Sequence, residues 1–168
     1  MPPSLIAVLE SIPTFDSRIS ELLDTYNNFV EQMKSIQIVC ENKEFPHNIP
    51  RIVEKHPEWQ ERIKAKLDIE LSETIEDIQG LLIGLEKVVL EITTVARDPD
   101  IYYASSGDDA QVLVDHLAII INYYKSDINE IDPSSPKPIK SHSILTEWKA
   151  KIAYDRLFQG LKMCHEGK

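Results

Sequence analysis

Glycine is scarce in this chain and never clustered, with five residues in 168, so no loop of the phosphate-cradling kind can be drawn. Cysteine is scarcer still. Cys40 and Cys164 are too few and too far apart for a disulfide framework, which points to a reducing compartment, cytoplasmic or nuclear. There is no run of about twenty apolar residues, and no basic N-terminal region followed by an apolar one, so neither a membrane span nor a secretory signal is expected. Positive charge is in deficit: 18 Lys and Arg against 28 Asp and Glu leave a net charge of −10. Phosphate neutralisation needs concentrated Lys and Arg, so direct nucleic-acid binding is disfavoured.

Catalytic and metal-binding constellations are missing as well. No Gly-x-Ser-x-Gly elbow is present, and neither cysteine sits in an activating context. His47, His56 and the Cys164-His165 pair lack the clustered spacing that zinc requires. Glu70, Glu73, Glu76 and Asp77 place carboxylates on successive helical turns, but their segment supplies no histidine for a di-iron bundle and reads as a solvated acidic face. Tyr102-Tyr103 and Tyr123-Tyr124 have no interleaved basic residues with which to hold bases. The expectation is a protein without catalytic residues, cofactor or metal.

What the chain does have is helical periodicity. Pro57 suits a first helical position, and Glu58 and Glu61 put negative charge where the helix dipole favours it. From there Ile63, Leu67, Leu71, Ile75, Ile78, Leu82, Leu85, Val89, Ile92 and Ala96 fall at steps of three and four, ending before Asp98-Pro99. That is one very long helix, roughly 60 Å at 1.5 Å per residue. Leu81, Ile83, Val88 and Leu90 lie off its main stripe, so the Ile78–Val95 segment is apolar nearly all round. Two explanations stand: a core helix buried on several sides, or a second docking face, with Gly80 and Gly84 admitting another backbone.

Upstream, residues 4–12 read as a short helix ending before Pro13, with Thr14 capping a longer one whose stripe runs Phe15, Ile19, Leu22, Leu23, Tyr26, Phe29, Val30, Met33, Ile36 and Cys40. Downstream, Ser106 or Asp108 caps a helix to about Ile131, with Leu113, Leu117, Ile120, Ile121, Tyr124 and Ile128 on its face. Its Ala118–Ile121 patch would also suit a strand, but length favours helix. Asp132-Pro133-Ser134-Ser135-Pro136-Lys137-Pro138 is an extended linker. Ser143 then caps a final helix carrying Ile144, Leu145, Trp148, Ile152, Leu157, Phe158 and Leu161. Residues 133–168 hold seven basic residues against three acidic ones, so this tail is basic against an acidic body.

Phe45, Ile49-Pro50, Ile52, Pro57 and Glu61-Arg62-Ile63, followed by Lys64 and Lys66, resemble the AIRIM family of ribosome-maturation factors. There an aromatic, a branched residue with proline, a second proline and a Glu-Arg-Leu element precede a long amphipathic helix. The resemblance extends to the N-terminal Leu-Ile-Ala-Val-Leu-Glu and to the helix with Leu117 and Tyr123-Tyr124-Lys125, although family members are more basic there and the C-terminal third does not align. It implies a non-catalytic subunit that accompanies AAA-type ATPases acting on pre-60S ribosomal particles, paired with a second small helical protein.

Together these readings give an all-α, elongated antiparallel helical bundle of about four main helices, one of them very long. Residues 1–131 form an acidic core, 132–142 a proline-rich linker, and 143–168 a basic C-terminal helix that packs on the core or on a partner. The expected function is that of an adaptor or scaffold subunit in a hetero-oligomer, most specifically one associated with an AAA ATPase in cytoplasmic pre-60S maturation. The alternative is a structural subunit of another helical assembly, such as a kinetochore, tethering or coiled-coil complex. Partner-binding residues are expected in two groups: Phe45, Ile49, Pro50, Pro57, Trp59 and Arg62 as a docking element, and Leu81, Ile83, Val88 and Leu90 as a helix face.

Overall fold

The computed structural model describes residues 5–42, 57–96 and 107–166. Four helices account for most of them: α1 (Leu5–Asn42), α2 (Pro57–Ala96), α3 (Gly107–Asn129) and α4 (Trp148–Glu166). Each packs on its neighbour in sequence and α4 returns to α1, giving an up-down-up-down bundle. Among the described residues there is no strand beyond an isolated bridge between Asp132 and Ser135. No described helix is long and apolar enough to cross a membrane.

The stripes read from sequence form the core. Ile19, Leu23, Tyr26, Val30, Met33 and Ile36 of α1 are buried against Leu67, Leu71, Ile78, Leu82, Leu85 and Ile92 of α2, with Leu113, Leu117, Ile120, Ile121, Tyr124 and Ile128 of α3 in the same cluster. Thr74, one of the few buried polar side chains, is satisfied through its hydroxyl, which donates to the carbonyl of Glu70 at 2.7 Å.

The expectation of a single very long helix needs correcting, because there are two, α1 with 38 residues and α2 with 40. The sequence reading broke α1 before Pro13, yet the helix runs through it. A proline inside a helix removes the N–H that would bond the carbonyl four residues earlier, here Leu9. The Tyr154 hydroxyl of α4 donates to that same carbonyl at 3.0 Å. A donor 145 residues away thus replaces the missing one, and the first turns of α1 stay joined to the rest.

Between α3 and α4 the chain runs back along the bundle as an irregular strap. It begins with a turn in which Pro133 follows Asp132, whose side chain accepts from the Ser134 hydroxyl at 2.7 Å and the Ser134 N–H at 3.0 Å. Those two bonds, the hydroxyl first, hold the Asp132 carboxyl below its ordinary 3.8. The strap then takes partners from α1, working from its C-terminal end toward its N-terminal end. Gln37 donates to the carbonyl of Ser134 at 3.0 Å, Tyr26 to that of Lys137 at 3.2 Å, and Asn27 pairs with both backbone groups of Ile139 at 2.9 and 3.0 Å. Asp16 completes the run, accepting from the Ser143 hydroxyl at 3.0 Å and the Ile144 N–H at 2.9 Å. On the α3 side, the Tyr124 hydroxyl bridges both backbone groups of His142, and His116 Nε2 donates to the carbonyl of Ile144 at 2.8 Å.

Pro136, Ile139 and Ile144 are buried beneath this strap. It is extended, as expected of its prolines, but it is tied down rather than free. Pro133, Pro136 and Pro138 lack an N–H, which leaves fewer backbone donors to satisfy, and side chains of α1 and α3 supply much of the rest.

Ser143 does not cap the last helix, since its hydroxyl is committed to Asp16. Helix α4 starts at Trp148, and Glu147 takes the cap: its carboxylate accepts the Ala150 N–H at 2.9 Å. Backbone bonds from Ala150 and then Lys149 hold Glu147 below its ordinary 4.5. Trp148 was expected on the apolar face of this helix, but at the first position it turns outward and is 71% exposed. Ala150, Ala153, Leu157 and Leu161 form the buried face instead.

Candidate functional site

The expected partner-binding residues separate once they are placed. Phe45, Ile49 and Pro50 lie outside the described residues. Pro57 is the first residue of α2, and Trp59 and Arg62 are exposed on its opening turns. On the second face, Ile83 is 54% and Leu90 66% exposed, whereas Val88 is buried in the chain's own core and Leu81 packs half-buried against it. Val88 is therefore a core residue rather than an exposed partner contact.

The cause lies in how α1 crosses α2. Gly84 sits directly under the Phe15 ring of α1, and a Cβ there would approach the ring to 2.6 Å. Leu81 lies beside Arg18, Glu21 and Leu22 of α1, and Val88 belongs to the buried cluster. The close approach anticipated at Gly84 is thus filled by an aromatic side chain of this chain. Around Gly80, by contrast, an added Cβ would meet no atom within 4 Å. On its opposite flank α2 is clamped to α3 by the Lys125–Glu86 ion pair.

Ile83 and Leu90 point away from both contacts, and Ile69, 59% exposed, lies two heptads before Ile83 on the same face. This outer face of α2 is an apolar stripe with Glu73, Glu76 and Lys87 set into it, all exposed.

A groove adjoins its lower end. With 23 residues, α3 stops at Asn129, so the flank of α2 from Lys64 to Gln79 has no α3 beside it. What remains is an open groove of about 700 Å³, walled by Leu71 and Ile75 of α2, Tyr26 and Gln37 of α1, Ile128 and Ile131, and the strap prolines Pro133 and Pro136. Asp68, Ser72, Glu76 and Gln79 form its rim and join it to the outer face. The sequence held one hint of this arrangement: Asn27, a polar residue next to Tyr26 of the apolar stripe, is one of the residues that anchor the strap.

Among the described residues no three His, Cys, Asp or Glu side chains come together as a metal site. The face and groove offer apolar area with a charged rim. Compared with protein-family models, with curated proteins and with solved structures, the chain matches none.

Proposed function

We propose that this protein is a non-catalytic adaptor subunit of a multiprotein complex, and that partner helices dock on the outer face of α2. The observation that carries the reading is the exposure of Ile69, Ile83 and Leu90 on one face of a helix whose main apolar stripe is buried in the core. Three large aliphatic side chains in heptad register on one face is the pattern used where another helix packs. In its specific form, drawn from the resemblance centred on residues 45–63, the complex contains an AAA ATPase and a companion small helical subunit, and it acts on cytoplasmic pre-60S particles. A second reading, a structural subunit of a kinetochore, tethering or other coiled-coil assembly, is favoured by the two helices of 38 and 40 residues paired as a long hairpin.

The test is quantitative affinity purification of the wild-type chain and of Ile83→Glu from native extract. Because Ile83 is exposed, the charge is expected to change folding stability by no more than about 0.5 kcal/mol. Loss of an AAA ATPase and pre-60S factors from the Ile83→Glu sample supports the specific form, and loss of kinetochore or tethering proteins supports the second. Identical partner sets from the two chains would overturn the proposed face. Val88→Glu serves as the contrast: a buried charge should cost upwards of about 3 kcal/mol and unfold the chain.

A further inference from the structure

The exposed residues of the outer α2 face form two columns at seven-residue spacing. One column is Ile69, Glu76, Ile83 and Leu90; the other is Glu73, Gly80, Lys87 and Thr94. Each of these eight residues is exposed, and Gly80 lies at the centre of the pattern. If α2 is laid antiparallel on a copy of itself with the two-fold axis at Gly80, Glu73 falls on Lys87 and Lys87 on Glu73, and Ile69 lands one residue from Leu90. Apolar meets apolar, and acid meets base. A parallel pairing would instead set Glu73 on Glu73 and Glu76 on Glu76, which like-charge repulsion opposes.

Gly80 supplies the second argument. A glycine inside a helix costs about 1 kcal/mol relative to alanine. Among the described residues no neighbour requires one at this position, since an added Cβ would meet nothing within 4 Å. At the crossing point of two helices the missing side chain lets the backbones come close, and there a glycine has a physical use.

We infer that the outer face of α2 is an isologous interface, and that its occupant is a second copy of this chain, packed antiparallel about Gly80. The inference rests on the proposed docking role of this face and names the partner. Residue i on one copy meets residue j on the other and the reverse, so each contact occurs twice, as two-fold symmetry demands. One mismatch is built in: Glu76 lands one residue from Ile83, which limits affinity and makes the pair dissociable.

Sedimentation equilibrium of the full chain, from roughly 1 to 100 µM, spans the range in which small helix-pair interfaces dissociate and should show a monomer–dimer equilibrium. Lys87→Glu alone should weaken dimerisation by about tenfold, because each reversal acts twice, and adding Glu73→Lys to the same chain should restore most of the loss. Glu76→Leu should strengthen it. In a Cys40→Ser/Cys164→Ser background, Gly80→Cys should form a disulfide-linked dimer under mild oxidation. Thr94→Cys should not, since antiparallel packing sets the two Thr94 positions roughly 40 Å apart at 1.5 Å per residue.

Cross-linking at Thr94 but not at Gly80, or a failure of Glu73→Lys to rescue Lys87→Glu, overturns the antiparallel pair. A chain that stays monomeric throughout the range overturns the dimer altogether. If that monomer still loses its extract partners on Ile83→Glu, the adaptor reading stands without the second copy. If it keeps them, both fail.

Discussion

Replacing Tyr154 with phenylalanine removes one oxygen and isolates the contact that joins the first turns of α1 to α4. The carbonyl of Leu9 belongs to a fully buried residue, and its ordinary helical donor is absent because position 13 is proline. The Tyr154 hydroxyl, 3.0 Å away, is the donor the structure gives it. A buried acceptor stripped of its donor costs about 1–3 kcal/mol. Tyr154 is only partly buried, so water can replace some of the loss, and the lower half of that range is expected. Pro13→Ala acts on the same carbonyl from the other side by restoring the N–H at position 13. It should stabilise the chain by about 1–2 kcal/mol, once the relief of interior proline is set against the freer unfolded chain.

The double-mutant cycle decides. In the Pro13→Ala background the Leu9 carbonyl keeps a partner whether or not the hydroxyl is present, so Tyr154→Phe should cost less than half what it costs in the wild type. The coupling would then be near 1 kcal/mol, within the range measured for residues sharing a hydrogen bond. Urea denaturation at 25 °C, followed by circular dichroism, gives each corner of the cycle from the shift in midpoint at constant slope. Equal costs in the two backgrounds would refute the reasoning, because the hydroxyl would then be holding α4 without compensating for the proline.

Two further predictions concern the strap and its tyrosines. Asn27→Ala removes both bonds to Ile139, and the strap's amides around residues 137–142 should lose protection in hydrogen exchange by at least about tenfold, while amides of the α2 core keep theirs; uniform loss across the bundle would show that Asn27 supports the whole fold. Tyr26, Tyr124 and Tyr154 are each pushed above the ordinary 10.0 by burial, and Tyr154 further by the charges of Asp155 and Glu10. A raised native value favours the protonated form, so the folded chain binds more protons than the unfolded one above pH 10, and stability should fall as pH rises past that point. Tyr26→Phe should flatten the slope in alkaline denaturation, and an unchanged slope would contradict it.

Helix faces were legible because burial and periodicity are the same signal: Leu67, Leu71, Ile78, Leu82, Leu85 and Ile92 were placed together by spacing and are buried together. Features that depend on long-range partners were not legible. Pro13 read as a helix end because the donor that lets the helix continue is Tyr154, on the last helix. Ser143 read as a cap because a hydroxyl before an apolar run is the usual signature, yet Asp16 had already engaged it and Glu147 served further on. Ile83 and Val88 both lay off the main stripe and looked equivalent. Only the seating of Phe15 over Gly84 determines which flank is covered, and spacing along a single helix carries no information about that.

The open groove follows from the bundle's unequal lengths. Helices of 38 and 40 residues pair with others of 23 and 19, so the short pair cannot screen the long one from end to end. The strap makes up part of the difference, but it runs along α1 and α3, where Asp16, Tyr26, Asn27, Gln37 and Tyr124 hold it, and it reaches α2 only as the far wall of the groove. Helix α2 is therefore covered by α1 on one flank and by α3 over the upper part of the other, while its outer side meets solvent along its length. Had that outer side been a chance product of composition, charged and apolar residues would be interspersed without register. Instead Ile69, Ile83 and Leu90 keep heptad spacing, and Glu73 and Lys87 stand at equal distances on either side of Gly80. In the pairing inferred above that order would act between two copies, because each of these residues is exposed in the single chain.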